Sequence, residues 1–353
     1  MPEVTSERTL RGHARGAATC SFSADGSCVL TSADDDAVQL WALDGTPQRT
    51  FQAHSNVGSC CSISPDGAYI LSASCDKTLK LFRTRDGVLE HTLRGHTAAA
   101  SCCCFSPEGV HALSASRDGT LRLWRVLDGA LKRTLTGHRS AVFHCGFSPD
   151  GTLVLSSSHD KTLMLWSSAG GEALQTFDLH GDLPTCCCFS PDGEHVLSAS
   201  MDKTLQIWHV ASGGVLPLQG HSSFVLWCCF SPDGARVLSA SADHSLGLWR
   251  SSDGALEHSL LGHLDRVSCC CYSPDGVFVL SASRDTTLRL WHAADGVLLH
   301  TLVGHEGGVT RCCFSPDGAR ALSASEDASV KLWCLADEVL SRAGAERAWR
   351  YGF

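Results

Sequence analysis

The chain lacks several features that would point to whole classes of protein. It has 353 residues, yet no apolar run approaches the roughly 18 that a membrane-spanning helix needs. Its first residues, MPEVTSERTL, show no basic stretch followed by an apolar one, so they do not read as a secretory signal peptide. Lysine and arginine number 28 against 37 aspartates and glutamates, and the net charge of −9 argues against nucleic-acid binding. These absences predict a cytoplasmic or nuclear protein that binds neither membrane nor nucleic acid.

Cysteine, in contrast, is abundant. The chain has 20 cysteines, many in runs such as Cys102-Cys103-Cys104. In a short secreted chain this content would predict a disulfide framework. Neighbouring residues of a strand point to opposite faces, so such runs are poorly placed to bridge themselves. We expect reduced, mostly buried thiols that act as small apolar side chains, with a redox or metal-binding role as the alternative.

Eight units of about 42 residues repeat along the chain. A histidine and a later aromatic mark each unit, and the aromatic always lies 28 residues after the histidine. All length changes fall in the segment between the aromatic and the next histidine. This segment is therefore expected to be a surface loop. The pairs are His13 and Trp41, His54 and Phe82, His96 and Trp124, His138 and Trp166, His180 and Trp208, His221 and Trp249, His263 and Trp291, and His305 and Trp333.

Each unit has the pattern of four short β-strands. An apolar stretch that ends in Phe or Tyr is followed by a turn, which reads Ser-Pro-Asp-Gly in six units. Proline presets φ in this turn, and glycine supplies the left-handed conformation. A later strand alternates with period two, as around Lys80 between Leu79 and Leu81. Four antiparallel strands in about 42 residues make one blade of a β-propeller.

These repeats resemble the WD-repeat family over residues 8–336. The resemblance implies an all-β fold, a single eight-bladed β-propeller of four-stranded antiparallel blades, with a lead of residues 1–7 and a tail of residues 337–353. For the tail, a short helix and an extra strand both remain open. The chain departs from the family pattern because no aspartate follows the repeat aromatic in any unit, and Phe82 replaces tryptophan in one. That aspartate is peripheral in the family, so its absence is not expected to disturb the fold.

Propellers of this family close by pairing a strand from one end of the chain with the last blade, which leaves no open sheet edge. Arg8-Thr9-Leu10 precedes the first repeat histidine and is placed to supply that strand. The segment Asp337-Glu338-Val339-Leu340 is the competitor, because it aligns with a fourth-strand segment of an earlier unit. We expect closure by the N-terminal strand.

Each unit also holds a histidine, a serine or threonine, and an aspartate at fixed offsets from the aromatic. Ser, His and Asp are the groups of a hydrolase triad, but a catalytic site does not occur eight times in one chain. The resemblance instead implies a hydrogen-bonded network inside each blade. The sequence therefore predicts no catalytic, cofactor-binding or metal-binding residue. Three representative networks are His96, Ser114, Asp118 and Trp124; His138, Ser156, Asp160 and Trp166; and His263, Ser281, Asp285 and Trp291.

The resemblance further implies that partners dock on one face of the disc, where the loops before the first strand meet the turns between the second and third strands. Large side chains, mostly apolar, concentrate at these positions in units four to six, and the arginine pair Arg266 and Arg284 lies beside them in unit seven. Apolar anchors beside arginine are typical of protein interfaces, and arginine suits an acidic or phosphorylated peptide. The alternative is that these side chains only fill the channel mouth. The docking-face residues are Arg117, Phe143, His159, Met201, Phe224, Leu226, Arg266 and Arg284.

We therefore expect a non-catalytic scaffold that binds proteins or peptides as part of a larger complex, with a monomeric propeller and no cofactor. A substrate-recognition subunit of a ubiquitin ligase is one alternative, although the family's Trp-Asp-x-Arg motif is absent. A propeller hydrolase is the alternative from another class, and it requires a unique acid, base or metal cluster that the sequence does not show. Trp227 interrupts the repeat, and it is expected either to fill space between blades or to reach the channel.

Overall fold

The computed structural model describes residues 8–52, 54, 58–178 and 180–335, and these residues form 32 strands. The lead of residues 1–7, the tail of residues 337–353 and the competing closure segment lie outside the described residues. Nothing in the described part of the chain is a helix able to cross a membrane. The strands are β1 Arg8–Arg11, β2 Ala17–Phe22, β3 Cys28–Ala33, β4 Ala37–Ala42, β5 Pro47–Gln52, β6 Gly58–Ile63, β7 Tyr69–Ser74, β8 Leu79–Arg83, β9 Leu89–Leu93, β10 Ala100–Phe105, β11 His111–Ser116, β12 Thr120–Arg125, β13 Leu131–Thr136, β14 Val142–Phe147, β15 Leu153–Ser158, β16 Leu163–Ser167, β17 Ala173–Phe177, β18 Pro184–Phe189, β19 His195–Ser200, β20 Thr204–His209, β21 Val215–Gln219, β22 Val225–Phe230, β23 Arg236–Ser241, β24 Leu246–Arg250, β25 Leu256–Leu260, β26 Val267–Tyr272, β27 Phe278–Ser283, β28 Leu288–His292, β29 Leu298–Leu302, β30 Val309–Phe314, β31 Arg320–Ser325 and β32 Ser329–Cys334.

The strands form eight antiparallel sheets of four, which are the predicted blades. Blade 1 is β2–β5, and each later blade takes the next four strands up to blade 7, which is β26–β29. Blade 8 consists of β30, β31 and β32 together with β1. The innermost strands contact one another around the circle, including β30 with β2, so the blades make one closed ring. The predicted eight-bladed propeller is confirmed.

The N-terminal strand closes this ring. β1 pairs antiparallel with β32, and Leu10 lies opposite Val330. The side chain of Leu10 is buried in the cluster between blades 8 and 1, where Trp41 also packs. The Lys331 ammonium donates to Thr9 Oγ1 over 2.8 Å. β1 therefore completes the last blade with a fourth strand, so that β32 is not left as its outer edge.

The Ser-Pro-Asp-Gly turns build themselves from their own side chains. In blade 7, Asp275 Oδ1 accepts hydrogen bonds from Ser273 Oγ over 2.5 Å and from the Val277 N–H over 3.1 Å. Gly276 adopts φ 74°, a left-handed conformation that glycine takes without steric cost. These turns form the face opposite the docking face, since successive hairpins of a meander alternate ends.

The hydrophobic core is divided into eight clusters, one between each pair of neighbouring blades. The cysteine seven residues after each repeat histidine contributes to these interfaces. Cys103 Sγ, for example, approaches the carbonyl oxygens of Cys60 and Leu71 in the preceding blade, at 3.7 and 3.8 Å. All 20 cysteines are free thiols, and only Cys334 is exposed. The thiols therefore fill space between blades, as free cysteine commonly does.

A β-bulge interrupts the first strand of every blade between the fourth and sixth residues after the repeat histidine. In blade 8 it lies between Val309 and Arg311. A bulge bends its strand and redirects the side chains beside it. The sixth residue after each repeat histidine lies at this bulge on an innermost strand, and we call this level of the central channel the waist.

Candidate functional site

A histidine connects an aspartate to a hydroxyl inside every blade. In blade 3, His96 Nδ1 lies 2.9 Å from Asp118 Oδ2, and His96 Nε2 lies 2.8 Å from Ser114 Oγ. The indole N–H of Trp124 donates to the same Ser114 oxygen over 2.9 Å. Blades 4 and 7 repeat this geometry with all three distances between 2.8 and 2.9 Å, in the sets His138, Ser156, Asp160 and Trp166, and His263, Ser281, Asp285 and Trp291.

The proton positions follow from these contacts. Because the Asp118 carboxylate can only accept, the imidazole proton resides on Nδ1 and is donated to Asp118, and Nε2 of the neutral ring accepts from the Ser114 hydroxyl. Ser114 has no solvent-accessible surface. A substrate therefore has no path to this hydroxyl, which disfavours the hydrolase interpretation of the repeated triads.

Burial and hydrogen bonding set the charges in these networks. Burial is the main influence on His96, and it lowers the pKa of the imidazole despite the neighbouring carboxylate. Burial opposes ionisation of Asp118, but hydrogen bonds from Thr120, the Thr97 N–H and His96 outweigh it and lower the pKa of that carboxyl to about 2. The blade 3 network consequently holds a neutral histidine and an ionised aspartate at neutral pH.

These pKa shifts predict that the fold loses stability in acid. The pKa is lowered below the ordinary value of 6.5 in the repeat histidines His54, His96, His138, His180, His263 and His305. Below pH 6.5 the unfolded chain takes up protons that the folded chain does not, so stability falls as pH drops through that value. Thermal unfolding between pH 8 and pH 4 should show a midpoint that declines from about pH 6.5 downward. A midpoint that stays constant to pH 4.5 would contradict the neutral-histidine assignment.

Backbone hydrogen bonds bring the two predicted sets of loops to one face. In the seven blades where both residues are described, the residue before the tight-turn aspartate donates its N–H to the carbonyl oxygen of the residue three positions after the repeat histidine. Arg117 donates to Ala99 and His159 to Ala141, both over 2.9 Å. The same bond joins Ala242 to Phe224 over 2.8 Å. In these blades the docking face is thus a rim of paired loops held by the strands.

Three of the docking-face residues form one contact group between blades 3 and 4. The rings of Phe143 and His159 are stacked with centroids 3.9 Å apart and planes 22° apart. The Arg117 guanidinium lies 5.6 Å from the Phe143 ring centroid, within the range of a cation–π contact. Arg117 and His159 are exposed and Phe143 is half-buried. The group is therefore a rigid aromatic shelf with a cation at its edge.

The remaining docking-face residues are not joined to this shelf by a ring contact or ion pair among the described residues. Phe224 is 43 % exposed, so its ring is open to a partner. Arg266 is exposed, while Met201 and Leu226 are partly buried. Arg284 forms an ion pair with Glu326 at 3.3 Å, so its charge is already compensated. The assignment of Arg266 and Arg284 to the docking face stays a prediction.

Trp227 reaches the channel. Its indole stands edge-on to the imidazole of His144, with ring centroids 6.3 Å apart, and the Arg311 guanidinium lies 3.9 Å from the indole centroid. Trp227 was recognisable in the sequence as a departure from the repeat, whereas His144 and Arg311 were not predicted to lie beside it. Their shared repeat position could have indicated this contact. All three residues occupy the sixth position after a repeat histidine, where most other blades carry cysteine.

Comparison with known proteins agrees with this architecture. Eight segments match the family described as WD domain, G-beta repeat: residues 4–42, 45–83, 87–125, 129–167, 171–209, 214–250, 254–292 and 296–334. No curated protein matches the chain. Among solved structures, the crystal structure of the computationally designed Ika8 protein is similar, with a TM-score of 0.84 and 27 % sequence identity over 94 % of this chain and 99 % of that one. Eight repeats match the family and eight blades form one closed ring, so the chain belongs to the WD40-repeat family of β-propellers.

Proposed function

We propose that this protein is a non-catalytic scaffold that binds an extended segment of a partner protein across its docking face. Propellers of this family generally serve as protein-interaction scaffolds, which supports the broad class. The observation that carries the specific proposal is the shelf of Arg117, Phe143 and His159. Its side chains are stacked before any partner arrives, so little conformational entropy is lost on binding.

The distribution of side chains around the face favours one sector of the ring. The shelf and Phe224 occupy blades 3, 4 and 6, whereas blades 8 and 1 carry Gly308 and Gly16 at the position equivalent to Phe224. The Arg284–Glu326 ion pair lies beside Gly308. A β-carbon on Gly308 would come within 2.7 Å of Arg284 Cγ, so this part of the face has no room for a larger side chain. An apolar side chain of the partner therefore fits against the shelf. The exposed Arg117 and Arg266 remain available to acidic residues of the same partner.

Peptide selection on the purified protein tests this proposal. A peptide selected on the wild type should bind Phe143→Ala and Phe224→Ala at least about tenfold more weakly, which corresponds to about 1.4 kcal/mol. Phe224 lies in a loop and Phe143 lies at the bulge of β14, and neither is a member of a blade network, so thermal unfolding should be nearly unchanged.

Val110→Ala supplies the matched control, because Val110 is 50 % exposed and follows a turn of the opposite face. It should leave the affinity of the selected peptide unaltered. If Val110→Ala weakens binding while the two phenylalanine variants bind normally, the partner surface lies on the opposite face and the proposal fails.

A further inference from the structure

Four of the eight blades carry cysteine at the waist, and each of these thiols meets a thiol of the following blade. The partner is in every case the cysteine seven residues after the next repeat histidine. In blade 7, Cys269 Sγ lies 3.7 Å from the carbonyl oxygen of Cys312 in blade 8, and the two thiols are hydrogen-bonded to each other. The four pairs are Cys60 with Cys103, Cys102 with Cys145, Cys186 with Cys228, and Cys269 with Cys312.

An arginine distinguishes the last of these pairs. Arg311, at the waist of blade 8, donates a hydrogen bond to the Cys269 sulfur, whereas it influences Cys60 and Cys186 through its charge. The Arg311 guanidinium also lies over the indole of Trp227, 3.9 Å from the ring centroid, which holds it in place. A positive group beside a thiol favours the thiolate, which is the form that reacts as a nucleophile.

These contacts make Cys269 the anionic member of its pair. The hydrogen bond from the Cys312 thiol, followed by the charge of Arg311, lowers the pKa of the Cys269 thiol to about 6, although burial opposes this. Burial, followed by the contact with Cys269, raises the pKa of the Cys312 thiol, so that partner stays protonated. The titratable groups that face Cys269 from other strands are Arg311 and Cys312 of β30, Cys20 of β2 and Cys186 of β18.

The channel gives small molecules a path to this thiolate. Arg311 and Trp227 are half-buried, so solvent reaches the groups beside the sulfur. Cys269 itself is 2 % exposed, which favours a small reagent over a bulky one. Hydrogen peroxide is little larger than water, and it oxidises cysteine in the thiolate form. A peroxide is therefore the oxidant that suits this site.

We propose that Cys269 is a peroxide-reactive thiolate whose oxidation forms a reversible disulfide with Cys312 and thereby links blade 7 to blade 8, the blade that closes the ring. First, the Cys269 sulfur attacks one oxygen of hydrogen peroxide and the O–O bond breaks. A sulfenic acid forms, and the departing hydroxide takes a proton from solvent. Next, Cys312 loses its proton and its sulfur attacks the sulfenic sulfur, so the S–S bond forms, the S–O bond breaks and water leaves. One peroxide is reduced to two waters while two thiols are oxidised to one disulfide.

Cys271 is the rival to Cys269, because its thiol is also hydrogen-bonded to that of Cys312. Despite this hydrogen bond, burial and the charge of Cys269 raise the pKa of the Cys271 thiol, so it stays protonated. A protonated thiol reacts poorly with peroxide. The first attack is therefore assigned to Cys269, and Cys312 completes the disulfide.

Mass spectrometry of tryptic peptides tests the proposal. After brief treatment of the folded wild type with hydrogen peroxide at pH 7 and alkylation of the remaining thiols, the peptide of residues 267–284 should be linked to that of residues 312–320. Dithiothreitol should separate the two peptides. Cys269→Ser should abolish the link, and Cys271→Ser should retain it.

The pair of Cys102 and Cys145 supplies the matched control, because it occupies the same repeat positions in blades 3 and 4. Despite the hydrogen bond between these two thiols, contact with Cys60 and burial raise the pKa of the Cys102 thiol. Its peptides, residues 95–117 and 140–161, should stay unlinked at the same dose of peroxide.

Substitution of Arg311 tests the activation of the thiolate. Arg311→Met should slow formation of the link at pH 7 by about fivefold or more, and Arg311→Lys should restore most of the rate. In the wild type the rate should rise with pH around 6 and level off above it, which does not depend on the folding of any variant. In Arg311→Met this rise should move to higher pH.

The proposal is overturned if peroxide leaves residues 267–284 and 312–320 unlinked in the folded wild type, or if the control peptides become linked equally fast. It is also overturned if Cys271→Ser abolishes the link while Cys269→Ser retains it. A wild-type rate that rises only above about pH 8, as for an ordinary thiol, would exclude the activated thiolate.

Discussion

Replacement of Asp285 with alanine is expected to lower the free energy of unfolding by about 3 kcal/mol. The carboxylate accepts four hydrogen bonds, from His263 Nδ1 over 2.8 Å, the Leu264 N–H over 2.9 Å, and the N–H and hydroxyl of Thr287 over 3.0 and 2.7 Å. Hydrogen bonds to a charged acceptor are each worth about 1.5–3 kcal/mol, and their losses overlap when one group is removed. The N–H groups of His263 and Leu264 lose their acceptor, while the hydroxyl of Ser281 retains its contact with the imidazole.

Chemical denaturation of the Asp285→Ala variant measures this loss. The exposed Asp178 offers the matched control, and Asp178→Ala should leave the denaturation midpoint within experimental error of the wild type. An Asp285→Ala protein as stable as the wild type would show that the network does not hold the blade together.

Removal of residues 1–11 is expected to have an even larger effect, because it deletes β1. The last blade would lose its outer strand, and the backbone groups of β32 from Ser329 to Leu332 would lose their partners. Loss of a buried leucine such as Leu10 alone costs about 2–5 kcal/mol. The uncovered edge of β32 would also pair with other molecules. The truncated protein should melt well below the wild type and associate in solution.

Light scattering and thermal unfolding of two truncations distinguish this effect from a general sensitivity of the N-terminus. Removal of residues 1–7 leaves β1 complete, so that protein should remain monomeric and melt close to the wild type. If the two truncations behave alike, with both stable or both aggregating, closure of the ring does not depend on β1.

Much of the fold was predictable from the sequence because its determinants are local and repeated. The constant 28-residue interval between histidine and aromatic follows from the network, whose members must meet inside each blade. The Ser-Pro-Asp-Gly turns likewise contain their own hydrogen-bond partners. Even the closing strand was recognisable, because its position just before the first repeat histidine places it beside the last blade.

The contacts of the candidate sites were less predictable because they join residues far apart in the chain. Arg284 occupies the same repeat position as Arg117, yet it pairs with Glu326 of the next blade, while Arg117 lies beside Phe143. The contact of Arg311 with Trp227 crosses the channel between blades that are not neighbours. Repeat position indicates the face or level of a side chain, whereas its partner depends on which residues the other blades present.

Hydrogen–deuterium exchange of the protein with and without a selected peptide tests the scaffold proposal most directly. Binding across the docking face should slow amide exchange in residues 139–143, 159–161 and 222–226, which lie beside the shelf and Phe224. Exchange in the Ser-Pro-Asp-Gly turns, such as residues 273–276, should not change. Protection confined to those turns or to the outer strands, with the shelf loops unaffected, would contradict the assignment of the docking face.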